Sequence, residues 1–62
     1  MAELDLNELE RTILDAIAPN PTSIDAIVVE TSLPVHRVLS TISVLEIKRL
    51  IRRYSGTQVV RV

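Results

Sequence analysis

Three prolines decide how this chain can be divided. Pro19 and Pro21 flank Asn20, remove two backbone donors within three residues and push each preceding residue toward extended geometry, so no helix runs through them. Pro34 acts in the opposite sense, because a proline at the cap or first position of a helix loses no useful donor and pre-sets the backbone angle. Any helices are therefore short, and each must lie within one of three stretches.

Each stretch carries helical periodicity. Asn7 is a good N-cap with Glu10 three residues later, a capping-box arrangement, and Leu6, Leu9, Ile13, Leu14 and Ile17 recur at helical spacing. A first helix is expected from about residue 7 to residue 18, with Thr22 adding a short strand after the proline pair. Ser23 caps a second, shorter helix with Ile24, Ile27, Val28 and Thr31 inward, ending near Ser32. The third helix starts at Pro34 or Val35 and runs to about Arg49. Val38, Leu39, Ile42, Leu45 and Leu50 form its inward stripe, and His36, Arg37, Ser40, Thr41, Val44 and Lys48 face outward.

Beyond the third helix, residues 51–54 and 58–62 are short β-branched segments flanking Ser55-Gly56-Thr57. The sole glycine, Gly56, stands where a tight hairpin calls for a positive φ. Two helices joined by a short turn, preceded by one helix and followed by a hairpin, are the parts of a winged helix-turn-helix. The expected fold is mainly α: three helices plus a two- or three-stranded antiparallel sheet, in one domain over residues 1–62.

Composition narrows the chemistry. Apolar residues make up 47% of the 62, yet Tyr54 is the only aromatic, so the core is built from Ile, Leu, Val and Ala. Without cysteine there is neither a disulfide nor a thiolate site, and one histidine builds no histidine zinc site, so no metal and no cofactor is expected. The chain contains no nucleophile elbow and no phosphate-cradling glycine loop, and an enzyme is not expected. The longest apolar run is four residues, Ala26 to Val29, against the roughly 20 that span a bilayer. With an acidic lead in place of a secretory signal, the chain reads as cytoplasmic with no membrane partner.

Charge is segregated. Residues 1–34 carry seven acids against Arg11, whereas residues 35–62 carry Arg37, Lys48, Arg49, Arg52, Arg53 and Arg61 against Glu46. The formal net charge of -1 conceals a bipolar domain.

In order and spacing, the run Leu6-Asn7-Glu8-Leu9-Glu10-Arg11-Thr12-Ile13-Leu14, then Pro21-Thr22-Ser23-Ile24-Asp25, Thr31-Ser32-Leu33-Pro34, Leu45-Glu46, Leu50-Ile51-Arg52-Arg53 and the closing Val59-Val60-Arg61-Val62, resembles the C-terminal winged helix of DNA-processing protein A, the DprA/Smf family. The resemblance implies an excised module of a larger cytoplasmic protein that binds incoming single-stranded DNA in natural transformation and helps load a recombinase. It also implies a Rossmann-like domain, absent here, that carries the main binding site, with the winged helix as an accessory for which duplex DNA and protein contacts are both in view. The sequence departs from the family pattern at Ser32 and Arg49, where glycine is frequent, and at Ala26 and Arg37, where glutamate is frequent. Left-handed backbone at a non-glycine residue costs on the order of 1 kcal/mol, and Ala26 forfeits the reciprocal half of a Ser23 capping box.

The candidate DNA-contacting residues are His36, Arg37, Ser40 and Thr41 early on the third helix, and Lys48, Arg49, Arg52, Arg53 and Arg61 at its end and on the wing. Each has a plainer alternative. Arg37 opposes the helix dipole and awaits either a phosphate or an acid such as Asp25 or Glu30. Lys48 and Arg49 also complement a helix C-terminus, and the strand arginines also blunt an edge. His36 as a metal ligand or pH switch stands against a solvated surface histidine, and Tyr54 as a base-stacking ring stands against wing packing. Val29, Val35, Val44 and Ile47 exceed what so small a core can absorb, and they read either as a docking patch or as scattered exposed aliphatics. Two functions stay open: a DNA-binding module using the third helix and wing, and an interaction module docking onto the missing domain, another protein or a second copy.

Overall fold

In the computed structural model, which describes residues 6–17 and 19–62, the chain orders as α1 (Glu8–Ala16), β1 (Thr22–Ser23), α2 (Ile24–Thr31), α3 (Val35–Ile47), β2 (Ile51–Ser55) and β3 (Gln58–Arg61). The acidic lead through Asp5 and the expected helix end at Ala18 lie outside the described residues. The Asn7 side chain accepts from the Glu10 amide at 2.8 Å, and the Glu10 carboxylate accepts from the Asn7 amide at 3.0 Å, so the capping box closes both ways. Ser23 caps α2 through the Ala26 amide at 3.0 Å, with no return bond because Ala26 has nothing to offer.

The two helix ends where the resemblance implies a glycine adopt left-handed backbone without one. Ser32 has φ 58 and donates its amide to the Val28 carbonyl at 2.8 Å, a single-bond ending of α2. Arg49 has φ 62 and occupies the Schellman position after α3. Its amide donates to Glu46 at 2.9 Å, that of Leu50 donates to Leu45 at 3.0 Å, and Leu50 turns back onto the core. The third helix thus stops at Ile47, two residues before the expected Arg49.

The sheet is antiparallel in the order β1-β3-β2, so the last strand is the central one. Thr22 pairs with Val59, confirming the short third strand, and Ile51 pairs with Arg61. Gly56 departs from expectation, because it does not have positive φ. The register slips between Arg53 and Ser55, and this bulge at Tyr54 adds the local twist that a positive-φ turn otherwise supplies. A Cβ on Gly56 would meet open space.

The core is one aliphatic cluster: Ile13, Leu14 and Ile17 from α1 and its end, Ile27 from α2, Val38, Ile42 and Leu45 from α3, and Ile51 and Val59 from the sheet. Every element except the two-residue β1 contributes, so the three helices and the wing are held as one body. Among the described residues no helix is long and apolar enough to cross a membrane.

Candidate nucleic-acid interface

The outward face of α3 differs from the expected one at two positions. Thr41, expected on the reading face, is buried at 6% exposure, and Leu39, expected inward, is 41% exposed. At about 100° per residue Thr41 falls about 40° beyond Leu45, at one edge of the buried arc, while Leu39 falls about 60° beyond Ile42 at the opposite edge. Position overrode polarity. His36, Arg37, Ser40 and Val44 are exposed as expected, along with Val29, Val35 and Ile47, while Lys48, also expected outward, is half-buried and Ser43 is exposed as well.

The N-terminus of α3 is electrostatically unusual. Pro34 offers no side-chain cap, the first turn contains no acid, and Arg37 stands in that turn against the positive end of the helix. Neither Asp25 nor Glu30 takes it as an ion-pair partner among the described residues.

At the other end of α3 the basic residues divide. The Lys48 ammonium donates to the Glu10 Oε1 at 3.0 Å, joining the start of α1 to the end of α3, and Arg53 on β2 pairs with Glu46 at 3.5 Å. Arg49 and Arg52 are exposed and have no ion pair among the described residues, while Arg61 is half-buried on the central strand. Tyr54 is 62% exposed on β2. His36 is exposed, and no cluster of three metal-ligating side chains occurs among the described residues.

The Glu10–Lys48 contact is the feature that reading the sequence missed. Acceptance of the Asn7 amide first, and of the Lys48 ammonium second, holds the Glu10 carboxyl below the usual carboxylate range. A signal was present: Glu10 stands in register with Ile13, Leu14 and Ile17, so an acid occupies the first rung of an inward-facing ladder. Such an acid meets the core unless a cation covers it.

Between α1 and α2 an open depression of about 250 Å³ is lined by Thr12, Asp15, Ala16, Glu30 and Thr31. Its two carboxylates make this side of the domain repulsive to a phosphate.

The family model of the DprA winged helix domain matches residues 1–57 of the 62. The chain belongs to this DprA winged-helix family. The three helices and three-stranded antiparallel sheet described above are those of a winged helix, so family and architecture agree. No curated protein and no solved structure matches the chain. In this DprA winged helix Ser32 and Arg49, the two positions where glycine was expected, are the two non-glycine residues with positive φ among the described residues.

Proposed function

We propose that this DprA winged helix is an accessory DNA-binding module that contacts duplex DNA with modest affinity through the first turns of α3 and through the wing. The observation that carries the reading is Arg37: a cation in the first turn of an uncapped helix, with no acid partner among the described residues. A phosphate at that helix end satisfies both the guanidinium and the free amides. His36 and Ser40 flank it on the exposed face and are the candidates for base edges. Arg49 and Arg52 supply the second group of phosphate contacts. Lys48 and Arg53 are discounted because Glu10 and Glu46 already hold them, and Thr41 because it is buried.

Three uncommitted arginines set the scale. With about three phosphates neutralised, log K falls against log salt with a slope near −2.7, so binding is measurable at low salt and weak near physiological salt. Family membership supports placing this module in DNA processing and recombination during natural transformation, in the cytoplasm, beside the Rossmann-like domain of the parent protein.

The test is an amide-shift titration with a short duplex and a matched single strand, each at low and near-physiological salt. Duplex-dependent shifts confined to residues 35–44 and 49–57, weakening with salt, are expected. Arg37→Ala and Arg52→Ala each flatten the salt slope by about 1, whereas Lys48→Ala leaves it unchanged. Absence of shifts at low salt refutes the reading.

A further inference from the structure

The outward arc of α3 holds few groups that tell bases apart by hydrogen bonding. The helix contains no Asn, Gln or Asp, and its one acid, Glu46, pairs with Arg53 at 3.5 Å. Adenine is therefore without its usual bidentate amide, and cytosine without a carboxylate acceptor. Lys48 is held by Glu10, and the Ser43 hydroxyl donates back to the Leu39 carbonyl at 3.3 Å. His36 and Ser40 are left, and neither forms the bidentate pair that singles out one base. What stands around Arg37 is short or aliphatic: at about 100° per residue Val44 lies about 20° from it, Ser40 about 60° and Ile47 about 80°. Val44 is 37% exposed and Ile47 79%, and neither belongs to the core cluster. One face of the helix thus joins a cation that has no acid partner among the described residues to two bare aliphatics.

A polyanion that also carries apolar groups suits such a face, and in the major groove the one apolar group on a base edge is the C5-methyl of thymine. We propose that α3 reads pyrimidine C5-methyl groups, so that the duplex this domain favours presents thymine methyls to Val44 and Ile47. The preference rests on the duplex contact proposed above and adds which base pairs that contact favours. Val44 and Ile47 are separated by about 4.5 Å along the helix, close to the ~3.4 Å spacing of successive base pairs, which lets the two address methyls on neighbouring pairs. Arg37 on a phosphate anchors the helix while the aliphatics select. Because the group recognised is a methyl and not a hydrogen-bond pattern, uracil in place of thymine loses the contact and 5-methylcytosine in place of cytosine gains it. Each methyl buried against an aliphatic changes affinity by about fourfold.

Fluorescence anisotropy of labelled duplexes titrated with the 62-residue chain at low salt tests this. Duplexes of equal length are compared in two pairs: A·T pairs against the same duplex with uracil for thymine, and G·C pairs against the same duplex with 5-methylcytosine for cytosine. Thymine is expected to bind at least about fourfold tighter than uracil, and 5-methylcytosine at least about fourfold tighter than cytosine. Methyl burial releases no counterions, so both ratios hold as salt rises while every affinity falls. The double variant Val44→Ser/Ile47→Ser takes both ratios close to one with the salt slope unchanged, since it touches no charge and no core side chain. Equal affinity within either pair overturns the assignment while leaving the duplex contact standing, and the aliphatics then belong to a protein partner. A ratio that survives in the double variant overturns it as well. If no duplex binds at low salt, the methyl preference and the duplex contact beneath it fall together.

Discussion

Replacing Ser32 by glycine is expected to stabilise this domain. Ser32 has φ 58 and ψ 24, left-handed backbone that costs a residue with a Cβ about 1–2 kcal/mol, and its side chain makes no hydrogen bond at that site among the described residues. Glycine removes the strain but adds about 0.4–1 kcal/mol of unfolded-chain freedom, which leaves a gain of about 0.5–1 kcal/mol. For 62 residues the entropy of unfolding is about 130 cal/mol/K, so Tm rises by about 4–8 °C. Arg49→Gly, at φ 62 in the Schellman turn of a different helix end, gains a similar amount, and the two add because they share no partner. Thermal unfolding followed by circular dichroism measures this, with Ser32→Ala as the control. Alanine keeps the Cβ and removes only the hydroxyl, so it brings no rise. Equal Tm shifts for Ser32→Gly and Ser32→Ala, or a fall with glycine, refute the strain argument.

Gly56→Ala is expected to raise stability by about 0.4–1 kcal/mol, because the turn does not use positive φ and the added methyl meets nothing; a loss in urea melts contradicts this. Glu10 has a folded pKa below its ordinary 4.5, so its contribution is complete above the unfolded value and fades as pH falls below about 4.5 through the folded one. Glu10→Gln removes that fading, and its stability, lower at neutral pH, declines less steeply than the parent's in acid melts; parallel curves contradict the assignment. Arg37→Glu replaces a cation by an acid at the start of α3 and stabilises the fold by about 0.3–1 kcal/mol, while its duplex affinity is expected to fall. A fall in both contradicts the uncompensated-dipole reading. Thr41→Val, inside the core, leaves duplex affinity within about twofold, and a larger loss returns Thr41 to the interface.

The local punctuation of this chain was legible because it follows from single residues. Asn7 with Glu10, Ser23, Pro34 and the proline pair each act within one turn of backbone, and the elements begin and end within about two residues of where those groups place them. The strained ends at Ser32 and Arg49 were also readable, once glycine was expected there. Long-range relations were harder to read. Thr41 and Leu39 exchanged places because the buried arc of α3 is set by where α1 and the sheet lie, which hydropathy on α3 does not contain. Gly56 was read as a positive-φ turn because its bulge at Tyr54 depends on register with β3. At the interface, Lys48 and Arg53 counted as free charges until packing placed Glu10 and Glu46 beside them, one of those pairs across 38 positions of chain. A charge list read along a sequence overstates a footprint wherever the fold returns opposite charges to the same corner.

The position of β3 between β1 and β2 has a consequence for synthesis on the ribosome. Translation delivers α1, β1, α2, α3 and β2 in turn, yet Thr22–Ser23 and Ile51–Ser55 have no direct pairing with one another until Gln58–Arg61 arrives between them. Val59, one of the nine core side chains, comes with that strand. Until residues 58–61 are available, β1 and β2 therefore have no strand between them to pair with, and Ile51 lacks its partner Arg61. Closure is a single late event, and a pause in elongation before residue 58 prolongs the interval in which those edges can capture another chain.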